Sequence, residues 1–171
     1  MGNSFFIYGL RALLLILIQV LVFNQLVVHE AATPFVYIIA VIGLPFAITH
    51  VQTIFVAFII GFVLDLFSGT GGVHSAASTF LGFLRPSILN IVNPPGGYDD
   101  TDSPNIARYG LSWFLSYISI MIFVHHLILI FLDRLSFEYF WSTLGRILGS
   151  SLTTLVFVIL YSYFFYPRKK N

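Results

Sequence analysis

Residues 61–78 read GFVLDLFSGTGGVHSAAS, and long apolar runs flank them on both sides. One carboxylate, Asp65, and one imidazole, His74, stand on either side of a glycine-rich break at 68–72. Ala57, Gly61 and Asp65 recur every four residues and therefore share one face of a helix. Beyond the break, Ser75 with Thr79 and Ser78 with Gly82 form a matching stripe of small side chains. In lipid such stripes let two backbones approach, because van der Waals contact and hydrogen bonds replace the hydrophobic drive. The pattern predicts a tight helical hairpin folded about Thr70. That fold brings Asp65 level with residues 74 and 75, and leaves Arg85 roughly 15 Å deeper at 1.5 Å per residue. The expected partner of Asp65 is His74 or Ser75. An unpaired Asp at the centre of a spanning helix costs on the order of 3 kcal/mol, and a structural polar pair of Asp65 with His74 offsets much of it. The pair is read as a lock on the hairpin, without catalysis.

The rest of the chain explains why a lock is needed. Of 171 residues, 58% are hydrophobic and only 9% charged, whereas a soluble domain carries about a quarter charged residues. So few charges cannot cover a water-exposed surface, and the chain reads as a membrane protein. It has no Cys, which excludes disulfides, thiolate metal sites and cysteine nucleophiles. A net charge of +1 gives no reason to expect a nucleic-acid partner.

A spanning helix needs about 20 mainly apolar residues. Taken on that scale, the apolar runs predict a single all-α, polytopic bundle of about six transmembrane helices, near 7–28, 35–48, 52–67, 73–92, 109–132 and 140–166. The uncharged stretch 31–64 is too long for one crossing and is divided at Pro45 and the polar residues 49–52. With six crossings, both termini share a side with the polar loop 93–108. That side collects Arg11, Arg85, Arg108, Arg168, Lys169 and Lys170 against Arg134 and Arg146 on the other, which favours cytoplasmic termini.

Other groups point less sharply. Gly145 and Gly149 make a GxxxG that Thr153 extends, suited either to packing within the chain or to a second membrane protein. His125 and His126 are expected at the outer boundary, near Asp133, Arg134 and Glu138. His29–Glu30 opens like a zinc-protease motif, but Thr33 stands where the second His belongs. The glycines of SGTGG have no Lys after them, and GxSxG is absent. Asp99, Asp100 and Asp102 crowd the loop 93–107, which reads as a solvated segment rather than a cation site. The PRKK tail is expected to face anionic membrane lipid. No cofactor and no metal are expected.

The hairpin as a whole, GFVLDLFSGTGGVHSAASTFLGFL over 61–84, resembles the rod shape-determining protein MreD family. The matching residues are Gly61, Asp65, Leu66, Gly69, Gly72, His74 and Ala76. Helix one, with Arg11 and Gln19 in an apolar run, is similar to that family's first span. The resemblance implies a bacterial inner-membrane, multi-pass, non-enzymatic scaffold. Its partner would be MreC, and through the complex MreB, RodA and a class-B penicillin-binding protein, in the cell-wall elongation machinery (the elongasome). It also implies a fold similar to the substrate-binding S components of energy-coupling-factor transporters. That supplies the alternative, a small-molecule-binding transporter subunit using Asp65, His74 and Ser78 as ligands. Helix one offers only Ala12, followed by Leu-Leu-Leu-Ile, where such subunits carry an Ala-x-x-x-Ala docking face. An intramembrane enzyme ranks last, since a lone Asp–His pair supplies no nucleophile or metal set.

Overall fold

The computed structural model describes residues 2–25, 32–134 and 140–165. His29, Glu30, Glu138 and the basic tail lie outside the described residues. All regular structure among the described residues is helical. Helix α1 spans Gly2–Ile18 and continues as one π-helical turn, Gln19–Phe23. A 3-10 turn, Val36–Ile38, leads into α2, Ile39–Ile42. The long helices α3, His50–Ser68, and α4, Val73–Ile91, form the hairpin. Short α5, Ile106–Tyr109, precedes α6, Leu111–Arg134, and α7, Phe140–Phe165.

Four of these segments are long and apolar enough to cross a membrane: Phe6–Phe23, His50–Ser68, Leu111–Arg134 and Phe140–Phe165. Helix α4 matches α3 in length, but it carries His74, Arg85 and Pro86 and is diluted by small residues. The expected helix at 35–48 is not one. Its helical part covers 36–42 only, about 10 Å at 1.5 Å per residue, far short of the roughly 30 Å of bilayer hydrocarbon. Pro34 precedes it, while Gly43 and Pro45 close it. Proline removes a backbone donor and disfavours helical geometry in the residue before it.

This broken segment runs through the middle of the bundle. Val36, Tyr37, Ile38, Val41 and Ile42 are all buried. At one end Phe35 packs against the His74 ring, beside the α3–α4 corner. At the other, the Phe46 N–H donates to Asp102 O, in the loop after α4. Helices α1, α4, α6 and α7 close around it. On α6 the pairs Tyr117–Ile118, Met121–Ile122, His125–His126 and Leu129–Ile130 are all buried, one pair per turn facing this axis.

The hairpin makes its closest approaches at two glycines. A Cβ on Gly61 would lie 2.7 Å from Ser75 Cα and against the His74 carbonyl. One on Gly82 would lie 3.0 Å from the Ala57 Cβ and 3.1 Å from Thr53 O. Neighbouring backbone cannot yield as a side chain can, so any larger residue must part the helices. Gly61→Ala and Gly61→Leu are expected to lower stability by roughly 1–3 kcal/mol or more, with Leu the worse. Thermal unfolding in detergent checks this, and unchanged melting of both variants would refute the close approach.

Candidate functional site

The corner is built by glycine conformation and one carboxylate. Gly69 ends α3 with φ 66°, its N–H donating to Asp65 O at 2.8 Å. Gly72 is the N-cap of α4 with φ 104° and has no side chain to satisfy the first amides of that helix. Asp65 does so from the preceding helix. Its Oδ1 accepts from the His74 N–H at 2.9 Å and the Thr70 hydroxyl at 2.5 Å. Its Oδ2 accepts from the Ser75 N–H at 2.8 Å and also from the Ser75 hydroxyl. These amides occupy the second and third positions of α4, the ones an N-cap side chain normally serves. The helix dipole also places partial positive charge there.

Of the two partners expected for Asp65, Ser75 bonds it through amide and hydroxyl, whereas His74 does so through its backbone amide and not through its imidazole. In a first helical turn the N–H groups point back along the axis toward the corner, while the side chain projects sideways into the bundle. The His74 ring lies 3.1 Å, Nδ1 to oxygen, from the Tyr37 hydroxyl. That hydroxyl lies 2.7 Å from His125 Nε2.

The other expected residues sort as follows. Ala57, Gly61, Ser75 and Gly82 lie in the α3–α4 contact. Thr79 donates to Ser75 O on its own helix at 2.6 Å. Ser78 is fully buried, with its hydroxyl beside the Tyr37 side chain. On α7, a Cβ at Gly145 would meet nothing within 4 Å, and Gly149 is half-buried. The inward stripe is instead Thr143, Ile147, Ser150, Thr154, Val158 and Ser162, and Thr153 bonds the Gly149 and Ser150 carbonyls. His125 and His126, expected as polar residues at the outer boundary, are both fully buried inside the bundle. Arg146 reaches Asp133 at 3.2 Å.

A set of polar side chains that sequence reading did not assign serves the broken segment. The Thr33 N–H donates to Ser150 Oγ at 3.0 Å and the Phe35 N–H to Thr154 Oγ1 at 2.9 Å. The Val36 N–H donates to Gln19 Oε1 at 2.7 Å, while Gln19 Nε2 donates to Pro34 O at 3.2 Å. Farther along, Tyr117 donates to Ile42 O at 3.1 Å and Arg85 Nη2 donates to Leu44 O. Thr154 lies 3.0 Å from His126 Nε2, and His126 Nδ1 lies 2.8 Å from Ile122 O. A carbonyl only accepts, so His126 carries its hydrogen on Nδ1 and takes the Thr154 hydroxyl hydrogen on Nε2.

At the loop end, Arg108 pairs with Asp102 at 3.0 Å. The Thr101 N–H and hydroxyl, with Arg108 beside them, hold the Asp99 carboxyl below its usual range. Among the described residues no group of three or more His, Cys, Asp or Glu is arranged to hold a metal ion.

Comparison with protein-family models, with curated proteins and with solved structures finds no match.

Substitutions at two positions test this site. Asp65→Ala strips the amides of His74 and Ser75 of their acceptor and is expected to cost about 1–3 kcal/mol. Asp65→Asn, which keeps one acceptor oxygen, should cost less. Thr154→Val leaves the Phe35 amide and His126 Nε2 unpartnered and is expected to cost a similar amount, whereas Thr154→Ser should behave as wild type. Equilibrium unfolding in mixed micelles measures both series. Equal stability of Asp65→Ala and wild type, or of the Val and Ser variants, would contradict the assigned bonds.

Proposed function

We propose that the chain is a non-enzymatic membrane scaffold of the MreD kind, a subunit of the bacterial cell-wall elongation complex. On this reading it binds an MreC-type coiled-coil protein and, through it, the MreB, RodA and class-B penicillin-binding components. It sits in the inner membrane with both termini in the cytoplasm.

The observation that carries the proposal is the work done by the residues of the resemblance. Gly61 admits the His74–Ser75 backbone. Asp65 takes four hydrogen bonds at the head of α4. Gly69 and Gly72 adopt positive φ at the two ends of the corner. Such residues build a fixed shape, which is what a scaffold offers its partners. The transporter alternative assigns Asp65, His74 and Ser78 to a ligand, but the Asp65 oxygens are already engaged by the chain itself.

Affinity purification of the tagged full-length chain from bacterial membranes is expected to enrich an MreC-type protein. Asp65→Ala should reduce that recovery in proportion to its loss of folded material. Recovery of no elongation protein would overturn the scaffold reading, and a small molecule recovered at one-to-one stoichiometry would favour the transporter one.

A further inference from the structure

The broken segment leaves a gap on one side of the bundle. Helix α2 ends at Ile42 and α3 begins at His50, so no helix fills the space between α1 and α3 at this level. A groove of about 380 Å³ remains there, floored by Leu44 and Pro45. Its α1 wall runs from Tyr8 to Ile16 and its α3 wall from Val56 to Val63, roughly 12 and 10 Å of helix at 1.5 Å per residue. Apart from Tyr8, every residue that lines it is apolar. Both walls belong to membrane-crossing segments. The rim opens sideways, where Leu13 and Ile59 are 52% and 44% exposed, so the groove faces hydrocarbon. A Cβ on Gly9, which lines it, would meet nothing within 4 Å.

A cation stands at one end of this groove. Tyr8 lines both the groove and a small neighbouring cavity that includes Arg11. Helical side chains lean toward the helix N-terminus, and the Arg11 guanidinium accordingly lies 6.0 Å from the centre of the Tyr8 ring, one turn back. Pro104, in the loop after α4, borders the same cavity. At the opposite end of the two helices Asn24 donates to Ser68 Oγ at 3.0 Å. Helices α1 and α3 therefore run the same way, with Arg11 directed to the loop end. Arg11 lies five residues inside the span that begins at Phe6, roughly 7.5 Å below its start. A charged side chain on a spanning helix is costly at depth and marks a functional site. Its long stem carries the charge back toward the interface, and a guanidinium matches a phosphate through paired N–H donors.

We propose that the groove holds one acyl chain of an anionic phospholipid whose phosphate pairs with Arg11. The length fits: one leaflet contributes about 15 Å of a hydrocarbon core some 30 Å thick, and the groove follows most of that depth. A spanning helix of another protein would need contact along the whole core, and the groove covers less than half of it. The charge fits as well. A lipid with a net negative headgroup brings a phosphate to the guanidinium and nothing that opposes it. A zwitterionic lipid brings the same phosphate together with an ammonium group that Arg11 repels. Gly9 and Arg11 lie at the loop end, whereas Asp65, His74 and Ser78 belong to the corner and the helix that leaves it, so changes at positions 9 and 11 report on this groove alone.

Native mass spectrometry of the full chain, released from nanodiscs of equal parts phosphatidylglycerol and phosphatidylcholine, tests the site. The wild type is expected to retain one phospholipid per chain, with phosphatidylglycerol enriched roughly five-fold, the preference of one basic side chain near a membrane surface. Arg11→Gln should keep a bound lipid but bring the two headgroups to equal recovery. Gly9→Leu sets a side chain in the open space of the groove and should lose the retained lipid of either kind while melting as the wild type does. A wild type that retains no phospholipid, or retains the two equally, would overturn the proposal without recourse to any variant. So would an unchanged preference in Arg11→Gln, undiminished retention in a folded Gly9→Leu, or a second polypeptide, rather than lipid, that Gly9→Leu displaces.

Discussion

A backbone that leaves helical geometry inside a membrane bundle must find its hydrogen bonds somewhere other than itself. An unsatisfied amide or carbonyl there costs several kcal/mol, with no water to relieve it. Residues 33–46 set this constraint, and the isolated polar side chains of α1, α4, α6 and α7 answer it. Gln19 serves Pro34 and Val36. Ser150 and Thr154, one turn apart, serve Thr33 and Phe35. Tyr117 and Arg85 serve Ile42 and Leu44. Each would be a liability on a helix facing lipid. Together they fix how the helices rotate about the central segment, because each bond is met by one orientation only.

The two buried charges obey the same rule. Asp65 and Arg85 lie on adjacent helices, yet neither neutralises the other. Asp65 answers the amides at the start of α4, and Arg85 donates to a carbonyl just past the end of α2 and to the Tyr117 hydroxyl that serves another. An anion at a helix N-terminus and a cation at a C-terminus are each favoured by the aligned peptide dipoles. Arg85 also stands over the Phe46 ring, 5.9 Å from its centroid, a favourable place for a guanidinium. A buried ion pair must recover the desolvation of two charges through one contact. Here Asp65 meets two backbone amides and Arg85 one carbonyl, groups that needed partners in any case.

This division explains what was legible in the sequence. The hairpin could be read because glycine and small residues at fourfold spacing carry helix packing in their identities, and a fold about Thr70 has only one register. The presence of α6 and α7 followed from the lengths of their apolar runs. The segment 35–48 misled because hydropathy reports composition and not backbone path, and Val36–Ile42 is as apolar as any span. Pro34, Gly43 and Pro45 were the available signal. His125 and His126 were assigned to the boundary from their nearness to Asp133 and Arg134. Their place in the paired series 117–118, 121–122, 125–126 and 129–130 points inward, but an almost wholly apolar helix does not display its buried face by contrast. The GxxxG glycines lie off the inward face of α7, which is marked by Ser150 and Thr154.

With its polar groups turned inward, the bundle has little but shape and apolar contact to offer a partner within the membrane. The outer face of α3 presents Phe55, Phe58, Phe62, Leu66 and Phe67, and that of α7 presents Leu148, Leu152, Val156 and Phe164. Helix association between such faces rests on close packing, since lipid tails are as apolar as the side chains. Polar discrimination is left to the ends of the bundle. At the loop end, Asp99 and Asp102 gather around Arg108 beside Tyr109, where the Thr101 bonds hold the Asp99 carboxyl below its usual range. On the scaffold reading proposed above, partners would meet an apolar contour in the membrane and charge at the ends of the bundle. That contour is set by the same side-chain bonds that make the broken segment possible.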